Sequence, residues 1–329
     1  MSATPERAPT VSIVVACYNY GRYVKQCVES ILAQSFSDLE LIVIDDASTD
    51  DSLAVLERFD DPRLRILRHE QNRGHIASFN EGFAAARGRY INHIGADDYC
   101  HPDFLARTVA VLDARPDLML VRSNAAVVDH AGNITNERAD LNSVDDGVGG
   151  SDLPRLLYDD FYVAGSAVFR RECLDLIGGG FDPRYPLGED WRFWLTINKR
   201  HRVRFLDEPL VYYRMHGGNL HGQLKRVSAG EDSERGILDE FFADPTIDPS
   251  IVAQKNAVLA SAYLRFANGY FWSGAMGEAR RCLRTAARLD PATMKRTRFW
   301  KRVMSTFVPP KMYRAMSGVK RAIGAPRGA

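Results

Sequence analysis

The 329-residue chain lacks several features that mark membrane-spanning and secreted proteins. No apolar run approaches the roughly 20 residues that a membrane-spanning helix requires, and the first ten residues are polar, unlike a secretory signal. The five cysteines are an odd number, and their scattered positions show neither zinc-ligand spacing nor a disulfide framework. We therefore expect a cytoplasmic protein without a membrane-spanning segment.

The last part of the chain lacks acidic residues. Ten Lys and Arg residues follow Asp290 without one Asp or Glu, whereas residues 1–290 contain 33 basic and 42 acidic residues. Apolar residues recur at helical spacing between the basic ones, so the sequence predicts a basic amphipathic tail over 292–329. Two interpretations are open. The tail binds an anionic membrane surface, which would hold the protein on the inner face of the cytoplasmic membrane, or it packs on the acidic body.

Short apolar, β-branched runs alternate with helical patterns over the first 130 residues. The predicted strands lie at 11–17, 39–44, 64–67, 90–94 and 118–128, and two more are expected at 203–206 and 209–215. This alternation indicates an α/β protein with a Rossmann-like, mostly parallel sheet flanked by helices. Strands that are apolar on both faces fit burial between two helix layers.

Composition divides the chain into further segments. Residues 1–10 form a polar N-terminal segment, 11–219 the α/β domain and 220–250 a polar linker. An α-helical C-terminal region follows, in which 251–291 contains two amphipathic stretches. The spacing of their Tyr, Ala and Leu residues is similar to one tetratricopeptide unit, and a plain helical hairpin is the alternative.

Two pairs of adjacent aspartates lie where predicted strands end. Asp45-Asp46 follows the second strand, and Asp97-Asp98 follows the fourth. Open α/β sheets bind their ligands outside the carboxyl ends of the strands. Buried carboxylates need compensation, which Mg²⁺ or Mn²⁺ together with a substrate diphosphate would supply. Capping of the following helices is the alternative for both pairs.

A third acidic pair, Glu189-Asp190, opens a predicted helix that extends to about residue 199. The helix dipole stabilises acidic residues at a helix N-terminus and keeps their carboxylates ionised. An ionised carboxylate in this position can act as a general base. A purely structural capping role is the alternative.

Four blocks of the sequence together resemble the family-2 inverting glycosyltransferases of GT-A type. They are VSIVVACYNYGRYVKQCVESILAQSFSDLELIVIDDASTDDS at 11–52, QNRGHIASFNEGFAAARGRYINHIGADD at 71–98, GEDWRFWL at 188–195 and YYRMHGGN at 212–219. The resemblance implies a GT-A fold and transfer of a sugar from a nucleotide diphosphate donor, with UDP the commonest choice. The implied acceptor is a saccharide or lipid-linked saccharide in polysaccharide, cell-surface glycan or glycolipid synthesis.

The resemblance also assigns the donor-binding residues. Ala16 and Tyr18 match positions that line the base of the donor, and Asp46 matches an acid that contacts the base or the ribose. Asp97 and Asp98 match the metal motif, with Asp97 nearer the ribose and Asp98 the main ligand of a Mn²⁺ or Mg²⁺ ion.

The remaining matches concern catalysis. Asp190 matches the catalytic base, Glu189 supports it or contacts the acceptor, and His216 matches a position that approaches the diphosphate or the metal. A departure from the family pattern occurs at Gly95, where many members have a first aspartate. Two adjacent acids are therefore left for one metal ion.

Other functional classes fit the sequence less well. A dinucleotide-binding oxidoreductase requires Gly-x-Gly-x-x-Gly after the first strand, where residues 17–21 read CYNYG. No Walker-type loop supports a helicase or polymerase, and the balanced charge of the whole chain argues against a nucleic-acid partner. One alternative stays open, a catalytically silent glycosyltransferase-like scaffold that binds a partner protein through its helical C-terminal region.

Overall fold

The computed structural model describes residues 7–217 and 227–308, which divide into two compact units. Within these residues the first unit comprises the chain up to Leu153, together with Phe161–Pro183 and Glu189–Met215. The second unit comprises Pro154–Asp160, Arg184–Gly188 and the chain from His216 onward.

A mixed sheet forms the centre of the first unit, and it has nine strands within the described residues. They are β1 Val11–Cys17, β2 Leu39–Asp45, β3 Leu64–Arg68, β4 Tyr90–Gly95, β5 Tyr99–Cys100, β6 Leu118–Val128, β7 Ile134–Asn136, β8 Ala167–Arg170 and β9 Arg202–Arg214. The order across the sheet is β3-β2-β1-β4-β8-β6-β9-β5, and β7 pairs with β6. Strands β1 to β4 run parallel to one another, whereas β8 is antiparallel to both of its neighbours.

Helices follow the strands along the chain. They are α1 Gly21–Leu32, α2 Ser52–Leu56, α3 His75–Ala85, α4 Phe104–Ala114, α5 Leu153–Leu156, α6 Glu172–Asp175 and α7 Glu189–Asn198. In α1 the residues at helical spacing, Val24, Val28 and Ile31, are buried and join the core cluster that contains β1 and β2. This packing explains why apolar periodicity identifies the helix.

The predicted α/β fold is confirmed, and two details of the sheet differ from the prediction. Strand β8 lies antiparallel between β4 and β6, so the sheet is mixed. The strands predicted at 203–206 and 209–215 are one strand, β9. Its pairing with β6 shifts register at Pro209, which has no N–H to donate and therefore lies at the irregularity.

The parallel strands bring three chain segments to one edge of the sheet. Ala16 on β1 is paired with Ile44 on β2 and with Gly95 on β4, so these strands reach their carboxyl ends side by side. The segments that follow them begin at Tyr18, Asp46 and the residues after Gly95. This edge is where open α/β sheets bind ligands.

The second unit is helical. Its helices are α8 Val227–Ala243, α9 Pro249–Val252, α10 Lys255–Ser273, α11 Met276–Leu289 and α12 Thr297–Ser305. The prediction of a linker over 220–250 is wrong for most of that segment, because α8 and α9 occupy it. The polar composition of α8 hides a buried apolar face formed by Ile237, Leu238, Phe241 and Phe242.

Helices α10 and α11 form a hairpin with small residues on its buried faces. Ala260, Ala267, Ala279 and Ala286 are buried, and Gly274 ends α10 with a positive φ of 88°. Small side chains let helix backbones approach closely, which both the tetratricopeptide and the plain hairpin interpretation require. The tetratricopeptide likeness therefore stays a prediction.

The predicted basic tail begins as helix α12. Phe299 is buried, and Arg302 stacks on Phe271 of α10. Arg280 of α11 donates a hydrogen bond to the carbonyl oxygen of Thr306. Within the second unit, one side of α12 therefore packs on the hairpin. The rest of the tail, 309–329, lies outside the described residues.

No helix among residues 7–217 and 227–308 is both long enough and apolar enough to cross a bilayer. The five cysteines are all buried thiols, and none forms a disulfide.

A buried arginine anchors the segment after β7. Arg122 on β6 donates hydrogen bonds to Asp140 at 3.1 Å, to Asp152 at 3.0 Å and to Ser143 at 2.6 Å. Its guanidinium also lies 4.2 Å from the ring centroid of Phe205. The charge is thus matched on several sides although the residue is fully buried.

We expect Arg122→Met to lower the free energy of unfolding by about 3–5 kcal/mol, because it leaves buried carboxylates without their cation. Urea denaturation measures this. The matched control is Arg107→Met, which removes an exposed ion pair with Glu208 and should cost less than about 1 kcal/mol. Equal losses for the two variants would contradict the anchoring role.

Candidate active site

The loop after β1 carries Tyr18 at the edge of the sheet. Hydrogen bonds to the loop after β2 fix it: the Asn19 N–H donates to the Ser48 hydroxyl at 3.0 Å, and the Thr49 N–H donates to the Asn19 amide oxygen at 2.8 Å. Asn19 has a φ of 58°, a conformation that asparagine tolerates better than most residues. Tyr18 is 43% exposed, and Ala16 is partly exposed. Both residues named for the donor base are thus accessible to a ligand.

Asp46 follows β2, and both of its carboxylate oxygens bind groups of the protein. Its Oδ1 accepts the Arg73 N–H at 2.7 Å and lies 2.6 Å from His69 Nδ1, while Oδ2 accepts the Gly74 N–H at 2.8 Å. The other ring nitrogen of His69 lies 2.9 Å from a carboxylate oxygen of Glu81. Asp46 therefore anchors the segment 69–74.

Asp45 contrasts with its neighbour. Its side chain is buried, and neither carboxylate oxygen has a hydrogen-bond partner within the described chain. It is paired with Cys17 across β1 and β2. Burial raises the pKa of the Cys17 thiol to about 12, and the Asp45 carboxylate adds to the rise. Asp45 is thus the residue of this pair whose carboxylate accepts no hydrogen bond within the described chain, although sequence reasoning selected Asp46.

Asp97 and Asp98 lie together, both almost fully buried, just beyond β4. The backbone N–H of Arg214 donates to Asp98 Oδ1 at 2.8 Å, and its Nε–H donates to the Asp97 carbonyl oxygen at 2.8 Å. Burial raises the pKa of Asp98 well above its usual value, and the adjacent Asp97 carboxylate adds to the rise. The backbone N–H and the charge of Arg214 act in the opposite direction.

Gly95, where many members of the family have an aspartate, lies beside the Asp97 carboxylate. A Cβ atom on Gly95 would lie 2.6 Å from a carboxylate oxygen of Asp97, closer than such atoms approach. A side chain at position 95 would thus force Asp97 to move. Glycine here is compatible with the observed position of the Asp97 carboxylate.

The two carboxylates fit a divalent cation as far as their chemistry shows. They are hard oxygen donors, and Mg²⁺ is usually held by one or two carboxylates plus phosphate oxygens. A cluster of three or more His, Cys, Asp or Glu side chains suited to a metal does not occur among the described residues. Substrate oxygens and water would therefore have to complete the coordination.

Arg214 is a further residue of the site that the sequence analysis did not single out. It is buried on β9, and its guanidinium stacks over the rings of Tyr23 and Tyr99. The same group donates to Gln26 at 2.7 Å. Arg214 lies in the block YYRMHGGN at 212–219, and membership of this block is the sequence feature that could have identified it. Arg214 fixes the backbone of the Asp97-Asp98 segment against β9.

Glu189 and Asp190 form the first turn of α7, directly after Gly188, whose φ is 95°. The Trp191 N–H donates to Asp190 Oδ1 at 2.8 Å, and Nε2 of His75 lies 2.9 Å from Glu189 Oε1. Burial raises the pKa of Asp190 to about 7, and the Glu189 charge adds to the rise. Asp190 can therefore exchange a proton near neutral pH.

The phenol of Tyr213 on β9 is influenced by residues of two acidic pairs. Burial raises its pKa, and the carboxylates of Asp98, Asp97 and Asp190 each add to the rise. The charges of the predicted metal ligands and of the predicted base thus all act on one group, the Tyr213 phenol, which sequence reasoning missed.

His216 belongs to the second unit and is partly exposed, two residues beyond the end of β9. Its assignment to the diphosphate or metal therefore stays a prediction. The indole and phenyl groups that follow Asp190 are buried, with Trp191, Phe193 and Trp194 at most 3% exposed. They belong to the core.

The model of the protein family described as Glycosyl transferase family 2 matches residues 12–175. An uncharacterised glycosyltransferase of Nostoc sp. (strain PCC 7120) is 29% identical over 238 residues, which are 68% of this chain and 70% of that protein. Chondroitin synthase of Escherichia coli is 37% identical over 137 residues, which are 40% of this chain and 20% of that protein.

A solved structure supports the fold. S. aureus TarS in complex with UDP-GlcNAc resembles this chain with a TM-score of 0.68, covering 93% of this chain and 92% of that one. Their sequences are 18% identical, so this likeness concerns the fold alone.

Proposed function

Because this chain belongs to glycosyltransferase family 2 and has the GT-A fold, we propose that it is an inverting transferase. It moves a sugar from a nucleotide diphosphate sugar to an acceptor hydroxyl. The observation that carries the proposal is the set of carboxylates at Asp97 and Asp98, just beyond β4, and at Asp190, in the first turn of α7, whose charges all act on the Tyr213 phenol. Sugar transfer needs a site for the leaving diphosphate and a base for the acceptor held in one geometry, and such positioning removes much of the barrier.

The donor site in this proposal lies at the edge formed by β1, β2 and β4. The exposed Tyr18 ring and the adjacent Ala16 backbone receive the nucleotide base. Asp46 Oδ2 accepts one hydrogen bond from the protein, so it keeps a lone pair for a base or ribose donor. Asp97 lies nearer the ribose. The donor is UDP-linked, in line with the UDP-GlcNAc bound by the structurally similar TarS.

Asp98 and Asp97 would hold a Mn²⁺ or Mg²⁺ ion, with His216 near the diphosphate. The ion would stabilise the negative charge that develops on the leaving diphosphate. The protein contributes the two buried carboxylates, and the Arg214 backbone N–H orients Asp98 by binding its Oδ1. The other oxygen, Oδ2, faces the space beside Gly95 at 3.7 Å from a Cβ built there.

Asp190 acts as the general base. It accepts the proton of the acceptor hydroxyl while that oxygen attacks the anomeric carbon from the face opposite the diphosphate. One base suffices, because a single displacement inverts the anomeric centre without a covalent glycosyl-enzyme. Glu189 supports Asp190 or contacts the acceptor. The similarity to chondroitin synthase favours a saccharide or lipid-linked saccharide acceptor in glycan synthesis.

A panel of UDP-, GDP- and dTDP-sugars with Mn²⁺ tests this function through release of the nucleoside diphosphate. Release should occur with one donor class, should rise with a saccharide acceptor and should stop with EDTA. No release from any donor, with or without acceptor, would overturn the proposal and favour the catalytically silent scaffold.

We also propose that the basic tail holds the enzyme against an anionic membrane. On α12 and just after it, Trp300, Met304 and Phe307 are 51%, 65% and 68% exposed, although Phe299 is buried and Arg302 stacks on Phe271 of the hairpin. Exposed basic residues lie beside them, and no acidic residue follows Asp290. Apolar and basic groups exposed together are typical of an interfacial helix.

A triple variant tests the tail without disturbing the core. Lys295→Gln, Arg298→Gln and Lys301→Gln remove three exposed charges, each worth about 1 kcal/mol near an anionic surface, so vesicle affinity should fall about 100-fold. Co-sedimentation with phosphatidylserine and with phosphatidylcholine vesicles measures the effect. Equal binding of both vesicle types by the unaltered chain would rule out the membrane interpretation.

A further inference from the structure

One hydrogen bond joins two distant parts of the candidate site. Nε2 of His75, the first residue of α3, lies 2.9 Å from Glu189 Oε1 at the start of α7. The two residues are 114 positions apart in the chain. Both side chains are largely buried, so solvent competes little for the contact. The bond therefore connects the segment after β3 with the first turn of α7, which contains Glu189 and Asp190.

The position of His75 is itself fixed by Asp46, which lies at the edge of the sheet proposed to bind the donor. The residues before it, Arg73 and Gly74, donate their backbone N–H groups to the two carboxylate oxygens of Asp46. Gly74 has a φ of 87°, which a residue with a side chain rarely adopts. Asp46, which is proposed to contact the donor, thus holds the two residues that precede His75.

We propose that His75 is a positioning residue for the transfer reaction, which holds the Glu189 carboxylate and so fixes the start of α7 and the charge beside Asp190. The inference rests on the proposed function, because it assumes that Asp190 is the base. It goes further in assigning a role to a residue outside the acidic motifs.

The charges around Asp190 determine in which direction each substitution changes the pKa of this residue. The titratable groups that influence it are Glu189 on α7, His75 on α3 and Tyr213 on β9. Glu189 acts to raise the pKa of Asp190, and His75 acts to lower it. Removal of His75 leaves the Glu189 charge less compensated, which disfavours a second carboxylate. Removal of the Glu189 charge has the opposite effect.

The dependence of kcat on pH tests this with two variants. Because the ionised form of Asp190 is the base, its pKa sets the acid limb of the profile. We expect His75→Ala to move this limb to higher pH and Glu189→Gln to move it to lower pH, each by on the order of one unit. The double variant should lie between the two single variants, because His75 and Glu189 act on the pKa of Asp190 in opposite directions.

Further measurements separate positioning from folding. His75→Ala should lower kcat at neutral pH and leave the KM for the nucleotide sugar nearly unchanged, and His75→Gln, which keeps an N–H donor, should recover part of the loss. The control is His130→Ala, which removes an exposed imidazole and should leave the profile unchanged. Thermal melting verifies that each variant is folded.

The results distinguish an error in the role of His75 from an error in the proposed function. If Asp190→Asn is inactive but the limb stays in place in both His75→Ala and Glu189→Gln, the role of His75 is wrong and the proposed function stands. If Asp190→Asn keeps full activity, the proposed base is wrong and the role of His75 falls with it. Opposite shifts in the two variants support the proposal.

Discussion

Asp190→Asn lowers kcat by about 10²–10⁴-fold and leaves the affinity for the nucleotide sugar unchanged. The size follows from the usual contribution of general base catalysis, which an amide cannot provide. Donor affinity is preserved because the amide matches the carboxylate in shape and still accepts the Trp191 N–H through its oxygen. The loss should therefore be confined to the chemical step.

Single-turnover kinetics and calorimetry of nucleotide binding measure the two quantities separately. The matched control is Asp175→Asn, on the exposed surface of α6, which should retain normal kcat. A variant at Asp190 with near-normal turnover would contradict its assignment as base. Loss of donor binding together with turnover would instead assign Asp190 to the donor site.

Asp98→Asn abolishes the part of nucleotide binding that depends on Mn²⁺. The neutral amide offers only a weak oxygen ligand, and the remaining carboxylate of Asp97 would have to hold the ion alone. The same variant should unfold at a higher urea concentration than the metal-free wild-type protein at neutral pH. The folded-state pKa of Asp98 lies above its unfolded value, so ionisation of Asp98 at neutral pH opposes folding.

Calorimetry with UDP, in the presence of Mn²⁺ or EDTA, tests the binding part of this prediction. The wild-type protein should bind UDP more tightly with Mn²⁺, and Asp98→Asn should show equal, weak binding in both buffers. Urea denaturation in EDTA tests the stability part, and the advantage of Asp98→Asn should disappear below the normal carboxyl pKa. Metal-dependent binding that persists in Asp98→Asn would remove this residue from the metal site.

Much of the fold follows from patterns that act locally. The runs at β1, β2 and β4 are apolar on both faces because both faces of the sheet are covered, and such runs are recognisable in one sequence. Helix α1 was visible because its buried positions recur at helical spacing. The antiparallel insertion of β8 depends on pairing with distant strands, for which residues 167–170 contain no local signal.

The candidate site was predictable as a set of acidic residues but not as a network. Asp97, Asp98 and Asp190 stand out because acids at strand and helix ends are chemically conspicuous. The bond between His75 and Glu189 joins residues that no spacing rule relates. The effect of three carboxylates from two distant segments on the Tyr213 phenol likewise exists only in three dimensions.

The central claim is a single displacement at the anomeric carbon, and the stereochemistry of the product tests it most directly. Proton NMR of the product formed from an α-linked nucleotide sugar reports the anomeric configuration of the new bond. The account predicts a β-linked product, formed about 10²–10⁴-fold more slowly by Asp190→Asn. An α-linked product would require two displacements or a different mechanism, and it would contradict the account.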